Sequence, residues 1–579
     1  MKKLLRFLKN YKKQLIFGPF FKLLEAIFEL IVPVVMSKII DNGINNNDSG
    51  YILRMSGLIV LLGVCGLCFA LTCQYLASKC AYGFGTELRS ALYKHINTLS
   101  YSSIDKIGTA SLVNRLTNDT NTVQNGVNMF IRLAVRVPFL IIGAAVMAIM
   151  LDAKLSLVLF IAAPVISALI FFIMSKTTPM YKKTQQKLDK ATLITRENLE
   201  GTRVIRAFSK QHEEIENFNK AVDDITESSI AVGRISAILN PISFMIMNMG
   251  IVAITWFGGI RINSGIMTQG ELTAFTNYMT QILLALLVLA NLIVIFTKAF
   301  ASANRVSEVF DFEPEKSDGN IMIDEVSGSE YAVQFDNVSF AYDGAGDSSL
   351  KNISFELKRG EVLGIIGGTG CGKTTLANLI PCFYRVSEGT VSVFGKDVRN
   401  YNFDSLRNSI GLVPQKAVLF SGTIRENMKL RKSDATDDEI IHALKIAQAW
   451  EFIEKMPDGI DTYIVQGGKN LSGGQKQRIS IARALVGNPE IIILDDSTSA
   501  LDYATELKLR KAISENMRNS TIIMISQRAT SLKDADKIIV IEDGIAVGIG
   551  KHEQLIEECG VYREIYESQM NEKENEQND

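Results

Sequence analysis

The sequence predicts an α-helical membrane domain, with six transmembrane helices and long cytosolic extensions, followed by an α/β domain built around a P-loop. Three observations carry this. Apolar residues fill 47% of the 579 positions, a high share for a protein that lies wholly in water. Six apolar stretches of about 20 residues, enough to cross a bilayer as helices, fall near 15–36, 55–76, 133–151, 155–174, 238–260 and 272–296. Beyond them, "VLGIIGGTGCGKTTLANLI" contains G-x-x-x-x-G-K-T from Gly367 to Thr374.

The first stretch follows Lys2, Lys3, Arg6, Lys9, Lys12 and Lys13. It is too long for a signal peptide and no small-residue cleavage site follows, so it reads as a retained helix whose N-terminus is cytosolic. The loop "DNGINNNDSG" at 41–50 has no Lys or Arg and suits the outside face. The third and fourth stretches are separated only by "DAK" and form a tight hairpin. The joins before and after that hairpin are long and polar, with Lys182, Lys183, Arg203, Arg206 and Lys210 in the second, and the positive-inside rule puts both in the cytosol. Their helical periodicity predicts that the membrane helices continue beyond the bilayer.

Residues 311–330, "DFEPEKSDGNIMIDEVSGSE", read as an acidic linker. The predicted organisation is therefore a membrane domain over 1–310, the linker, a nucleotide-binding domain over 331–567 and a polar, disordered tail over 568–579. The 61 basic and 62 acidic residues nearly cancel, which gives no reason to expect nucleic acid as a partner. The seven cysteines are split between apolar stretches and cytosolic sequence, so neither disulfides nor a metal site at Cys65 and Cys68 is expected.

A P-loop after an apolar strand and before a helix places backbone N–H groups around phosphates. Gly367, Gly368, Thr369, Gly370, Cys371, Gly372, Lys373, Thr374 and Thr375 form this candidate cradle, with Lys373 reaching the terminal phosphates and Thr374 on Mg²⁺. In "EIIILDD" a buried strand delivers Asp495 to the metal, as in Walker B sites. ATP and Mg²⁺ are the expected cofactors.

Between these motifs lies "LSGGQKQRISIARAL" at 471–485, and "SALD" follows the second. P-loop, LSGGQ, Walker B and SALD in this order resemble the nucleotide-binding domain of an ABC transporter, and six membrane segments ahead of it resemble an ABC exporter half-transporter. The resemblance covers almost the whole chain. It implies that Tyr342 stacks on adenine and that Gln415 touches Mg²⁺ and links the site to the membrane helices. It also implies that Ser472, Gly473, Gly474 and Gln475 contact ATP held by an opposite subunit, that Asp502 closes the D-loop, and that segments near 101–120 and 198–212 are coupling helices.

Two positions depart from the family. Asp496 follows the Walker B Asp where a Glu is usual, and Gln527 in "IIMISQRATSL" stands where the switch histidine is usual. A carboxylate one methylene shorter and an amide that carries no charge imply a site that binds ATP but hydrolyses it slowly. The chain's own LSGGQ is intact. The resemblance then implies a heterodimeric, multidrug-like exporter in the cell membrane, with its N-terminus and nucleotide domain cytosolic, whose partner bears the Glu and the His. The cargo would be hydrophobic or amphipathic. A homodimeric lipid flippase and an ATP-gated regulator or channel are the alternatives. Glu25 and Glu29, inside the first stretch, either meet a cationic cargo or pair with Arg132 and Arg136.

Overall fold

The computed structural model describes residues 3–317, 319–323 and 328–578, with side chains described to residue 570. The chain divides into two compact units: Met1–Asn97 with Ala110–Phe312, and Thr98–Thr109 with Glu313–Asp579.

Among the described residues the first unit has helices and no strand. Its long members are Lys12–Lys38, Ser49–Ile96, Arg136–Leu151, Leu157–Glu200, Leu239–Asn263 and Gln269–Val309. Among the described residues, five helical segments are long and apolar enough to cross a membrane. The sixth expected span, Lys12–Lys38, has the length but carries Lys22, Glu25 and Glu29 within it. Those charges are paired internally: Lys22 with Glu25 at 2.6 Å and Arg136 with Glu29 at 2.7 Å. Both carboxylates therefore have a protein partner, but Glu25 pairs within its own helix instead of with Arg132.

Ser49–Ile96 and Leu157–Glu200 have 48 and 44 residues, about 72 and 66 Å at 1.5 Å per residue. A bilayer core of about 30 Å cannot contain them, which agrees with extensions beyond it. One end of the unit is tied by polar contacts. Asp41, in the short helical continuation Ile39–Ile44 of the first helix, accepts from the Thr268 hydroxyl at 2.7 Å and the Gly270 N–H at 2.9 Å, at the start of the last helix. Asp152, in the tight hairpin, caps the N–H groups of Lys154 and Leu155 and pairs with Arg261. The third helical region begins at Thr109, well before the apolar run that marks its membrane part, because polar residues with helical spacing continue it.

In the second unit a six-stranded sheet has the order Ile545–Gly550, Lys537–Glu542, Val362–Gly367, Thr521–Ile525, Ile491–Asp495 and Ile410–Val413. All neighbours run parallel except the first pair. Ile491–Asp495 is buried at every position, and near-continuous apolar sequence is what a strand covered on both faces requires. A four-stranded antiparallel sheet, with Tyr331–Phe340 at its centre, shares a core with the first through Phe335, Leu350, Ile365 and Leu376.

Two segments differ from their expected character. In the acidic linker, Glu315 accepts from both terminal nitrogens of Arg407 at 2.7 and 2.9 Å, and Ile323 is buried. Residues 318 and 324–327 of that linker lie outside the described residues. At the other end, helix Gly560–Asn578 runs through most of the segment expected to be a structureless tail. Tyr562 is fully buried and anchors its first turn, and the Glu-, Lys- and Gln-rich sequence that follows has high intrinsic helix propensity.

Candidate nucleotide-binding site

Parallel pairing sets Ile365, Ile525 and Asp495 side by side at the carboxyl ends of three adjacent strands. Ligands in open α/β sheets bind beyond those ends. A cavity of about 230 Å³ lies there, lined by Tyr342, Ser349, Thr369, Gly370, Gly372, Lys373, Thr374, Thr375, Gln415, Asp495, Asp496, Ile525 and Gln527.

The P-loop joins strand Val362–Gly367 to helix Lys373–Leu379. Gly372 has φ of 105°, and a Cβ there would stand 2.8 Å from the Ser349 carbonyl, so glycine is required where the loop enters the helix. The Lys373 Nζ donates to the carbonyls of Gly367 and Gly368 at 2.9 and 2.5 Å. Those glycines and the buried Cys371 frame the loop, while Thr369, Gly370 and Gly372 line the cavity itself.

The Thr374 hydroxyl donates to both Asp495 carboxylate oxygens, at 2.9 and 3.1 Å. A hydroxyl and a carboxylate in contact, with the Gln415 side chain on the same cavity, are hard oxygen donors suited to Mg²⁺, which takes few protein ligands and completes its shell with phosphates and water. Bound there, the ion would neutralise phosphate charge. Burial raises the Asp495 pKa, the Thr374 hydroxyl opposes that, and the charge of Asp496 raises it again.

Tyr342 lies edge-on to Phe340 and Tyr384, with centroids at 4.9 and 5.2 Å, and its hydroxyl is 3.0 Å from that of Thr375. Its ring is thus fixed at the rim of the cavity. At the opposite side Asp496 sits in the left-handed region, φ 44°, its N–H donating to the Ile525 carbonyl at 3.0 Å. The Asp496 carboxylate accepts from Gln415 Nε2 at 3.2 Å and Gln527 Nε2 at 3.4 Å. The two departures from the family motif therefore meet at one oxygen.

Ser472, Gly473, Gly474 and Gln475 do not line this cavity. They start helix Gly473–Leu485, where Ser472 and Gln475 cap each other reciprocally at 3.3 and 2.9 Å. Asp502 caps helix Tyr503–Asn516, accepting from the Thr505 N–H at 2.9 Å.

Of the two segments expected to be coupling helices, the first contains helix Tyr101–Ile107, which belongs to the same compact unit as the cavity. Tyr101 stacks on Phe383 with centroids 4.4 Å apart, and the Tyr384 hydroxyl donates to Asp105 at 2.6 Å. Tyr384 in turn packs against Tyr342, so one aromatic group joins this helix to the nucleotide rim. The second segment holds the short helix Thr202–Ala207 in the other unit. Sequence reasoning missed Ser349, Ile525 and the Tyr384 contact; single residues of ordinary type carry no pattern that marks them.

Comparison with known proteins agrees with this architecture. Residues 15–287 match the ABC transporter transmembrane region and residues 350–499 match the ABC transporter domain. The chain is 37% identical to the uncharacterized ABC transporter ATP-binding protein YfiB of Bacillus subtilis, over 98% of this chain and 99% of that one. It is 34% identical to an uncharacterized ABC transporter ATP-binding protein, Rv1273c, of Mycobacterium tuberculosis, over 97% of each. It is also 31% identical to the ATP-dependent lipid A-core flippase of Vibrio parahaemolyticus, over 99% and 98%. The chain belongs to the ABC transporter family, as an exporter half-transporter whose membrane domain precedes an ATPase domain coupled to transport.

Proposed function

We propose that this chain is one subunit of a heterodimeric exporter of hydrophobic or amphipathic compounds, and that its own nucleotide site retains ATP with little turnover. The observation that carries this reading is the meeting of Asp496, Gln415 and Gln527 at one carboxylate oxygen. A catalytic carboxylate must face the attacking water, whereas this shorter one is engaged by two amides. Gln527 can donate a neutral hydrogen bond to a phosphate, but it supplies no positive charge and shuttles no proton. The binding half of the site, from Tyr342 to Asp495, keeps its full complement of groups.

Hydrolysis would then occur at the site built on the partner's P-loop and completed by Ser472, Gly473, Gly474 and Gln475 of this chain. Closure of the two nucleotide domains around ATP favours one membrane conformation over the other, and that differential binding drives transport. The N-terminus and the nucleotide domain lie in the cytosol in this scheme, with the membrane domain crossing the cell membrane several times.

The test is ATP turnover in lipid, first by this chain alone and then with a half-transporter that bears the Glu and the His. Turnover near zero alone and restored by the partner is the expected result. The lipid A-core flippase relatives favour a second reading, a homodimer that moves lipids. It requires turnover by this chain alone, stimulated by lipid.

A further inference from the structure

The loop that presents Gln527 follows strand Thr521–Ile525, and several of its polar backbone groups are pinned. The Ser526 N–H donates to the Ile365 carbonyl at 3.1 Å, and the Arg528 N–H donates to the Ser526 hydroxyl at 3.0 Å. On one flank the buried Glu506 carboxylate accepts from Arg528 at 3.3 Å and from the Ser531 hydroxyl. Two further groups are held by one distant side chain. Gln569 Nε2 donates to the Gln527 carbonyl at 2.7 Å, while Gln569 Oε1 accepts from the Ala529 N–H at 2.9 Å.

We propose that Gln569 is a positioning residue for the nucleotide site: through this two-point brace the C-terminal helix fixes the direction in which Gln527 points. The rest of that helix supports the role. Tyr562 is fully buried, its hydroxyl 2.8 Å from His552 Nδ1. Ile565 and Tyr566 pack on a cluster that includes Ala529 and Leu532. This packing holds the helix against the loop without Gln569, so the amide is free to act on direction instead of on folding. Removing it leaves the exposed Gln527 carbonyl to water and takes the acceptor from the N–H of Ala529, a residue that is buried. The loop then loosens without unfolding, and the side chain that faces the terminal phosphate loses its fixed aim. The inference rests on Gln527 facing that phosphate; it does not depend on how fast the site hydrolyses ATP.

The test uses the full chain in lipid and the release rate of a labelled, non-hydrolysable ATP analogue with Mg²⁺, chased by excess ATP. Gln569→Ala should speed release by about threefold to tenfold, the effect of one or two hydrogen bonds. Gln569→Glu keeps the shape and the acceptor for Ala529 but turns an oxygen toward the Gln527 carbonyl, so it should speed release at least as much. A role in packing alone would tolerate this isostere, and the isostere decides the matter should the alanine variant fail to fold. In a Gln527→Ala background, neither change should add to the effect of that substitution. Unchanged release in both variants, or an equal factor in the Gln527→Ala background, would overturn the proposal. Brisk ATP turnover by the unaltered chain would overturn the slow-site reading while leaving the release data to judge Gln569.

Discussion

The two sides of the nucleotide cavity are built to different standards. On the holding side, Lys373 is fixed by the P-loop carbonyls, Thr374 and Asp495 are in contact, Gly367, Gly370 and Gly372 have positive φ, and Tyr342 is wedged between two rings. On the cleaving side, a short carboxylate in left-handed backbone shares two amide donors. Gripping ATP and splitting it are thus separable, because the first needs donors and charge around existing phosphates while the second needs a base and a charge aimed at a transition state.

Substitutions on the holding side should hurt most. A charged hydrogen bond is worth about 1.5–3 kcal/mol, and Lys373 can make more than one to phosphate, so Lys373→Ala should weaken ATP binding by about a hundredfold or more. Equilibrium binding of a fluorescent ATP analogue checks this. Base stacking on an aromatic ring contributes about 1–3 kcal/mol. Tyr342→Ala should therefore cost about tenfold in the same assay, while Tyr342→Phe, which loses only the contact with Thr375, should stay within about threefold.

The smallest shift is in stability, where a substitution that removes ATP binding should nonetheless stabilise the nucleotide-free fold. Burial raises the Asp495 pKa in the folded chain, so the native state holds this proton more tightly than the unfolded chain does. Stability from this group is then greatest below the unfolded value of about 3.9, and it is lost as pH rises through the raised folded value. Asp495→Asn should accordingly raise the Tm of the nucleotide-free protein at neutral pH and flatten that part of the pH profile, while abolishing Mg²⁺-dependent ATP binding. A fall in Tm would mean that the carboxylate stabilises the fold.

Much of the holding side was legible in the sequence. A P-loop is contiguous, its spacing is fixed by the phosphates, and the strand ending in Asp495 announces itself by an unbroken apolar run. The membrane helices were legible for the same reason, except that Lys22, Glu25 and Glu29 weaken the first as a span. What could not be read depends on contacts across long separations. Helix Tyr101–Ile107 lies between membrane segments in sequence, yet Phe383 and Tyr384 hold it in the ATPase unit. Gln569 sits in a polar stretch with no apolar pattern, and its use becomes visible only when it meets residues 527 and 529. Asp496 and Gln527, 31 positions apart, were assigned to one site by the resemblance; their direct contact at a single oxygen is what the fold adds.

The central proposal is that the holding side is complete and that Asp496 and Gln527 would make hydrolysis at this site slow. The direct test is ATP turnover of the full chain alone in lipid, with and without the double change Asp496→Glu and Gln527→His. Restoring the longer carboxylate and a protonatable ring should raise kcat by about a hundredfold or more with the KM for ATP almost unchanged. Turnover that is already fast in the unaltered chain, or that the double change fails to raise, would contradict the account.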